Sequence, residues 1–409
     1  MSKPEVLVAT DRSPVVQFDH HDPALVHDPW PTYAKLREVG PVTWSDAHGG
    51  FWAVAGYDEV YTAARDDETF CSGDGVTIPP EQAAKVIPIT ADPPDLRAYR
   101  DILSPLFSPG AAKVRRDEIS ALVLERIRAV GAQGGCDLVE DIATPVPSII
   151  TMRLLGIPQD GWRDYMHWYH DNSTRLMVMS PEEKRAHIQT FFVLRSQIEE
   201  VIAARRSTSS EDLISVLVRA EFDGRLLTDE EIINTVSLVL AGGLDTTATA
   251  IVNALLFLDE HPEGRERYVT DDQALDTFLE EMLRYEPPVH SLARRATCDV
   301  ELGGAQIRAG DRLLLLWASA NRDAKVFEDP DVMIADRFPN RHMAFGIGQH
   351  RCIGSNLARL QTRLVVQEFL RHFPDYRVSR DGLERAATLS VVRGYLRAPV
   401  TFTPIGITS

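Results

Sequence analysis

The sequence predicts a mainly α-helical protein with small β-sheets, and three stretches carry that expectation. Thr228-Asp229-Glu230-Glu231 is a capping box, with Glu231 placed to return a bond to the Thr228 N–H. Helical character then runs to about Leu258, the longest helix expected in the chain. Residues 111–223 read as mostly helical, with breaks at Gly131–Gly135, Gly156-Ile157-Pro158 and Ser180-Pro181. Val42-Thr43-Trp44 and Phe51-Trp52-Ala53-Val54, separated by a polar Gly-rich turn, predict a β-hairpin.

In chain order, residues 1–20 read as a loose arm. Asp28-Pro29-Trp30-Pro31 opens a short helix over Thr32–Val39, which Gly40-Pro41 stops. After the hairpin, Tyr57–Arg65 returns to helix. Residues 72–91 form an unusually apolar loop containing Val76, Ile78, Val86 and Ile87, of the kind that roofs a core or a ligand pocket. Asp92-Pro93-Pro94 opens a helix carrying Arg97 and Arg100. The aromatic-rich stretch 162–180 suits a packed helix. Val289–Arg295 is extended, Arg312–Trp317 is the most strand-like run, and Ser390–Gly394 makes an apolar turn.

Composition bounds the function. The chain has 409 residues, enough to bury an extensive core and a cofactor cavity. Its net charge of −17 argues against general affinity for nucleic acid or acidic membranes. Cysteines at 71, 136, 298 and 352 show no zinc-type pairing, and Met1–Thr10 lacks a basic-plus-apolar leader. A reduced, cytoplasmic protein without a membrane anchor is expected. Val236–Leu258 holds a single charge, Asp245, near its middle; a charge there is costly in lipid, so a helix through a large core is expected instead of a membrane span.

The chemistry concentrates at Phe345-Gly-Ile-Gly-Gln-His-Arg-Cys-Ile-Gly354. Glycines 346, 348 and 354 suit tight turns and close backbone approach to something flat or bulky. Leu357, Leu360, Leu364, Val365 and Phe369 fall on helical spacing directly afterwards. That helix start would aim N–H groups at the sulfur and favour its thiolate, a suitable axial ligand for iron. The pattern Phe-x-x-Gly-x-x-x-Cys-x-Gly, complete at Phe345, Gly348, Cys352 and Gly354, resembles the haem-binding loop of the cytochrome P-450 monooxygenases.

Two further motifs agree. Gly242-Gly243-Leu244-Asp245-Thr246 places two glycines inside a helix at about 1 kcal/mol each. They allow close approach of a ligand, and Thr246 is able to bond back to a carbonyl and bend the helix. The run resembles the acid–alcohol pair of the oxygen-binding helix in camphor-hydroxylase-like bacterial members. Glu281-Met282-Leu283-Arg284 puts two opposite charges on one helix face. In the family such a pair joins a later arginine, here Arg337, to brace the cysteine loop.

The resemblance implies a P-450 fold over 1–409, a triangular prism with a long central helix across haem b (iron protoporphyrin IX). It implies Cys352 as the iron ligand, and Arg100, Arg294 and His350 at the propionates. Leu96 stands where the family often has a further propionate-binding histidine. Phe345, Gly346, Gly354, Ala241 and Gly242 would line the cofactor, and Asp245 and Thr246 would relay protons to bound O₂. Val76, Val86, Ile87, Leu238, Val289, His290, Leu292, Val391 and Val392 would form the substrate pocket. The implied reaction inserts one oxygen atom from O₂ into a C–H bond of a small to medium hydrophobic, terpenoid-like substrate. Electrons would come from a separate ferredoxin docking near Arg97, Arg100, Lys113, Arg115, Arg116 and Arg351, with the enzyme monomeric. A peroxide-driven hydroxylase and a non-catalytic haem sensor or carrier are the rival readings.

Overall fold

The computed structural model describes residues 12–80, 86–208, 210–389 and 391–405; Ser390, at the start of the expected apolar turn, lies outside them. It is 54% helical with several small sheets. In chain order, α1 (Trp30–Val39) leads into the expected hairpin of β1 (Val42–Ser45) and β2 (Phe51–Val54), in register with Trp44 opposite Trp52. Next come α2 (Tyr57–Arg65), β3 (Phe70–Cys71) and α3 (Asp95–Leu103). The large helical layer holds α4 (Arg116–Gly131), α5 (Pro145–Leu155), α6 (Trp162–Thr174), α7 (Pro181–Ser207), α8 (Asp229–Gly243), α9 (Asp245–Glu260) and α10 (Asp272–Tyr285). β4 (Leu292–Ala296), β5 (Arg312–Leu315) and α11 (Ser355–His372) follow.

The five strands form one sheet in the order β1-β2-β5-β4-β3, with the β2–β5 pair parallel and the others antiparallel. β2 and β5 are buried on both faces, which is why Phe51–Val54 and Leu313–Leu315 read as continuous apolar runs instead of alternating ones. A larger core packs α4, α5, α8, α9 and α11 together. Residues 12–20 differ from the loose arm expected. Val16 N–H donates to the Trp44 carbonyl at 2.8 Å, and Val16 and Phe18 are buried.

The capping box forms as written, with Glu231 N–H on Thr228 Oγ1 at 3.2 Å and Thr228 N–H on Glu231 Oε2 at 2.8 Å. The helix it opens is not one rod. α8 and α9 meet at Leu244 (φ −80°, ψ −68°), where Thr246 Oγ1 donates to the Gly242 carbonyl at 2.7 Å. A hydroxyl that competes for a helix carbonyl bends the helix. The longest unbroken helix is therefore α7, with 27 residues. Asp229–Glu260 is the one stretch among the described residues long and apolar enough to cross a membrane, and 56% of its apolar window is buried within the fold.

Candidate active site

α8, α9 and the loop before α11 enclose a cavity of about 1110 Å³, mostly apolar in lining. The two helix glycines have separate roles there. A Cβ on Gly243 would sit 2.7 Å from Thr151 Oγ1, so that glycine lets α5 pack against the bend. A Cβ on Gly242 would meet nothing within 4 Å, because this residue faces the cavity. The sequence reading gave both glycines to ligand approach; helix packing accounts for one.

Opposite the bend, Cys352 lines the same cavity. Its N–H donates to the Phe345 carbonyl at 2.8 Å, closing the loop. Gly348, at φ 71°, lies so near α2 that a Cβ would approach the Ala64 carbonyl oxygen to 2.7 Å. Gly346, at φ 63°, and Gly354 would carry a Cβ into open space. The exposed surface of Cys352 faces the cavity. Burial pushes its thiol up, and the Gly354 N–H with Arg351, Arg100 and Arg359 pulls the other way without prevailing. The expected preference for thiolate thus does not follow from the helix start alone; a bound metal deprotonates a coordinating thiol outright.

The polar rim fits an anionic group. Arg294 is 3% exposed, its Nε has no partner, and its Nη1 has only a 3.5 Å contact with the Ala293 carbonyl. Burial lowers its pKa against the pull of Asp67 and Asp92. Arg100, half-buried, also faces the cavity. A buried guanidinium left short of acceptors marks the place for a carboxylate. His350 is pushed down to about 3 by burial and then by Arg294 and Arg100, so it is a neutral ring, with Ser72 Oγ 3.4 Å away. Leu96 is fully buried against the same cavity. A cysteine sulfur facing the cavity, a glycine-cleared wall, an unsatisfied buried Arg294 and a second cation at Arg100 fit an iron porphyrin with its propionates.

The cavity brings together Phe345, Gly346, Gly354, Ala241, Gly242, Thr246, Val76, Val86, Leu238, Val289, Leu292, Val391 and Val392. Three expected residues lie elsewhere. Ile87 joins the core cluster with Tyr99 and Leu103, while Val86 and Ile89 take the cavity side. His290 is 1% exposed and hydrogen-bonds the Tyr33 hydroxyl through Nδ1 at 3.1 Å, beside Trp30. Asp245 points away from the large cavity into a separate small one of about 120 Å³, shared with Glu140, His167 and His170. Its Oδ1 lies 2.8 Å from His170 Nδ1, and Ser173 Oγ donates to Oδ2. The stretch 162–180, read as packing, also supplies Trp168, Tyr169 and Asn172 to the cavity wall.

The Asp245–His170 pair ties α6 to the bend. Burial works against the charged imidazole, but Asp245, by charge and hydrogen bond, outweighs it and raises the His170 pKa above 6.5. A raised histidine pKa gives stabilisation that is full below the unfolded value and lost as pH rises through the folded one. Native-state hydrogen exchange in α6 should therefore speed up as pH rises above 6.5, beyond the intrinsic pH dependence of exchange. A His170→Ala variant should lack this extra increment; an identical pH response in both would count against the tether.

Glu281 and Arg284 are both fully buried and paired at 2.7 Å, and Arg337 Nε reaches Glu281 Oε1 at 3.0 Å. Beside them Glu280 takes Arg359 at 2.8 Å, and Arg359 stacks on the Phe345 ring at 4.3 Å. α10 thus reaches the cysteine loop through Glu280 and Arg359, while Glu281 holds the segment before it at Ile334, Arg337 and Asn340.

A family model described as cytochrome P-450 matches residues 37–379. The chain is 34% identical over 376 residues to the steroid C26-monooxygenase of Mycolicibacterium smegmatis, covering 91% of this chain and 92% of that protein. Its fold is similar to that of CYP109E1 from Bacillus megaterium in complex with testosterone, with a TM-score of 0.84, 30% identity, and 93% of this chain and 99% of that chain covered. A mutant of EryK in complex with erythromycin B gives a TM-score of 0.83 at 31% identity, covering 94% of this chain and 98% of that one.

Proposed function

The chain belongs to the cytochrome P-450 family of haem-binding monooxygenases, and from that premise we propose that it hydroxylates a C–H bond of an elongated, mostly apolar molecule of steroid or large terpenoid size. The observation that carries this reading is the cavity itself, in which the Cys352 sulfur and the bent helix share one space of about 1110 Å³ with a mostly apolar lining. Polar side chains on the α6 and α8 side of it include Asn172, Ser173, Asn234 and Ser237. Asn234 precedes Thr246 by 12 residues, about 18 Å along the axis at 1.5 Å per residue. A substrate with an apolar body and one oxygen at its far end matches that spacing. The relatives named for steroids and crystallised with testosterone support the same size class.

The bound haem supplies dioxygen activation at a thiolate-ligated iron. The chain's own groups do the rest. Cys352 would hold the iron, Arg294 and Arg100 would take the propionates, and Ala241 and Gly242 would leave room above the ring. Thr246, with its hydroxyl already turned to the Gly242 carbonyl, would pass protons on the cavity side. Asp245 would feed that hydroxyl from the other side of the bend, where His170 and the small cavity connect it outward. This acid–alcohol pair favours O₂ chemistry over a peroxide-driven or carrier role. Steroids, terpenoids and fatty acids, titrated separately, test the proposal through the low-to-high-spin shift of the haem. A shift with steroid-sized rigid molecules is expected; a shift with linear fatty acids alone would sink it.

We further propose one haem domain that takes electrons from an acidic ferredoxin on the cysteine side. Exposed Arg97, Lys113 and Arg351 and half-buried Arg115 and Arg116 give that face a positive patch within an acidic chain. Arg116→Glu should slow the first electron transfer about tenfold at low salt, the gap closing at high salt. Equal rates at low salt would remove this surface from the docking site.

A further inference from the structure

Three imidazoles far along the chain from the cysteine loop take no part in the chemistry above. His20 and His21 end the pinned N-terminal arm, and His48 sits at the tip of the β1–β2 hairpin. One ring nitrogen from each lies within 4.8 Å of the other two. The His20 and His21 rings are 3.9 Å apart, and His48 stands 5.7 and 5.1 Å from them, roughly perpendicular to both.

Their hydrogen bonds set the tautomers. His21 Nε2 lies 2.7 Å from the Ile78 carbonyl oxygen, which only accepts, so Nε2 carries the proton and Nδ1 keeps a lone pair. That Nδ1 is buried and has no partner. His48 Nε2 lies 2.7 Å from Asp19 Oδ1, so its proton is likewise on Nε2. A carboxylate behind an imidazole is the arrangement that orients metal-bound histidines. His20 is 4% exposed, and its Nδ1 is also buried without a partner. Two buried ring nitrogens lacking any donor are unusual in a folded chain.

We propose that His20, His21 and His48 form a site for a late divalent transition-metal ion such as zinc. Three imidazoles select this class over magnesium or calcium, which take oxygen ligands. Zinc–nitrogen bonds of about 2.0–2.1 Å in a tetrahedron need nitrogens about 3.4 Å apart. The site closes by a small rotation of His48 on its exposed turn. The metal would fasten the arm to the hairpin tip. Through the His21–Ile78 bond it would also steady the segment that ends in Val76 and Thr77 at the cavity wall.

Zinc alone is the probe. Haem-loaded protein, cleared of metal by dialysis against a chelator, is titrated with zinc in competition with a chromogenic indicator. The bound haem keeps zinc from Cys352. One zinc per chain is expected, with affinity at least about tenfold lower in His48→Gln. The melting temperature should rise by about 3 °C at a hundredfold excess over Kd in the parent, and not in the variant. X-ray absorption at the zinc edge should show imidazole nitrogen neighbours. His48 is on an exposed turn, so the variant keeps its fold, checked by its haem spectrum; His20→Gln repeats the test from the buried side. No stoichiometric zinc in the parent, or zinc affinity unchanged in both variants, overturns the assignment.

Discussion

Cys352→Ala folds, retains some haem through the remaining cavity wall, and loses turnover to below about a thousandth of the parent rate. With carbon monoxide on the reduced protein, the strongly red-shifted Soret band given by thiolate ligation disappears. Cys71, Cys136 and Cys298 do not line the cavity, so among the described residues no second thiol is available. His350 is the nearest alternative ligand in sequence, and it stands beside Ser72, Arg294 and Arg100 at the polar rim. The loop itself should survive the change. Its shape rests on the Cys352 N–H to Phe345 carbonyl bond, the close packing of Gly348 on α2, and the Arg359–Phe345 stack. None of these uses the sulfur. A variant that kept the red-shifted band would remove Cys352 from the iron and the proposed site with it.

What the sequence made legible, and what it did not, divides along a physical line. Readings that depend on neighbours within one turn or one strand came through. The capping box at Thr228 and Glu231, the 42–54 hairpin and the back-bond of Thr246 to Gly242 all follow from local geometry. The family pattern added the long-range convergence of Glu281, Arg284 and Arg337. Direction was the weak point. Asp245 and Thr246 are adjacent, yet successive helical residues differ by about 100° in heading. Thr246 faces the cavity, while Asp245 faces His170, 75 residues earlier. Sequence alone gave no partner for the acid and so no heading. His290 failed likewise, because its destination is Tyr33, 257 residues away. Gly243 was assigned to ligand approach because nothing local announces that Thr151 packs on it. The His20, His21 and His48 group was not legible at all, since hairpin pairing is what brings position 48 to the arm.

Glu281→Gln should cost about 3–5 kcal/mol of folding stability, a large share of the 5–15 kcal/mol typical of folded proteins. The carboxylate takes donors on all sides. Arg284 Nε and Nη2 donate at 2.8 and 2.7 Å, Arg337 Nε at 3.0 Å, the Ile334 N–H at 3.0 Å and Asn340 Nδ2 at 3.1 Å. An amide of the same shape turns one acceptor into a donor facing donors, and leaves the Arg284 guanidinium, fully buried, without its counter-charge. Backbone carbonyls of Asn321, Pro330 and Val332 still accept from Arg284, but they carry no net charge. The pH dependence separates this account from simple loss of packing. Burial pushes the Glu281 carboxyl up, and the donors, Arg284 foremost, outweigh it, so the group ends below 4.5. A depressed carboxylate stabilises fully above its unfolded value and loses that contribution as pH falls through the folded one. Urea midpoints of parent and Glu281→Gln should therefore lie far apart at pH 7 and converge below pH 4.5, where the parent carboxyl takes up its own proton. Midpoints that coincide at pH 7 would show that the triad carries no charge-dependent stability; a gap that persists unchanged into acid would assign the loss to packing instead.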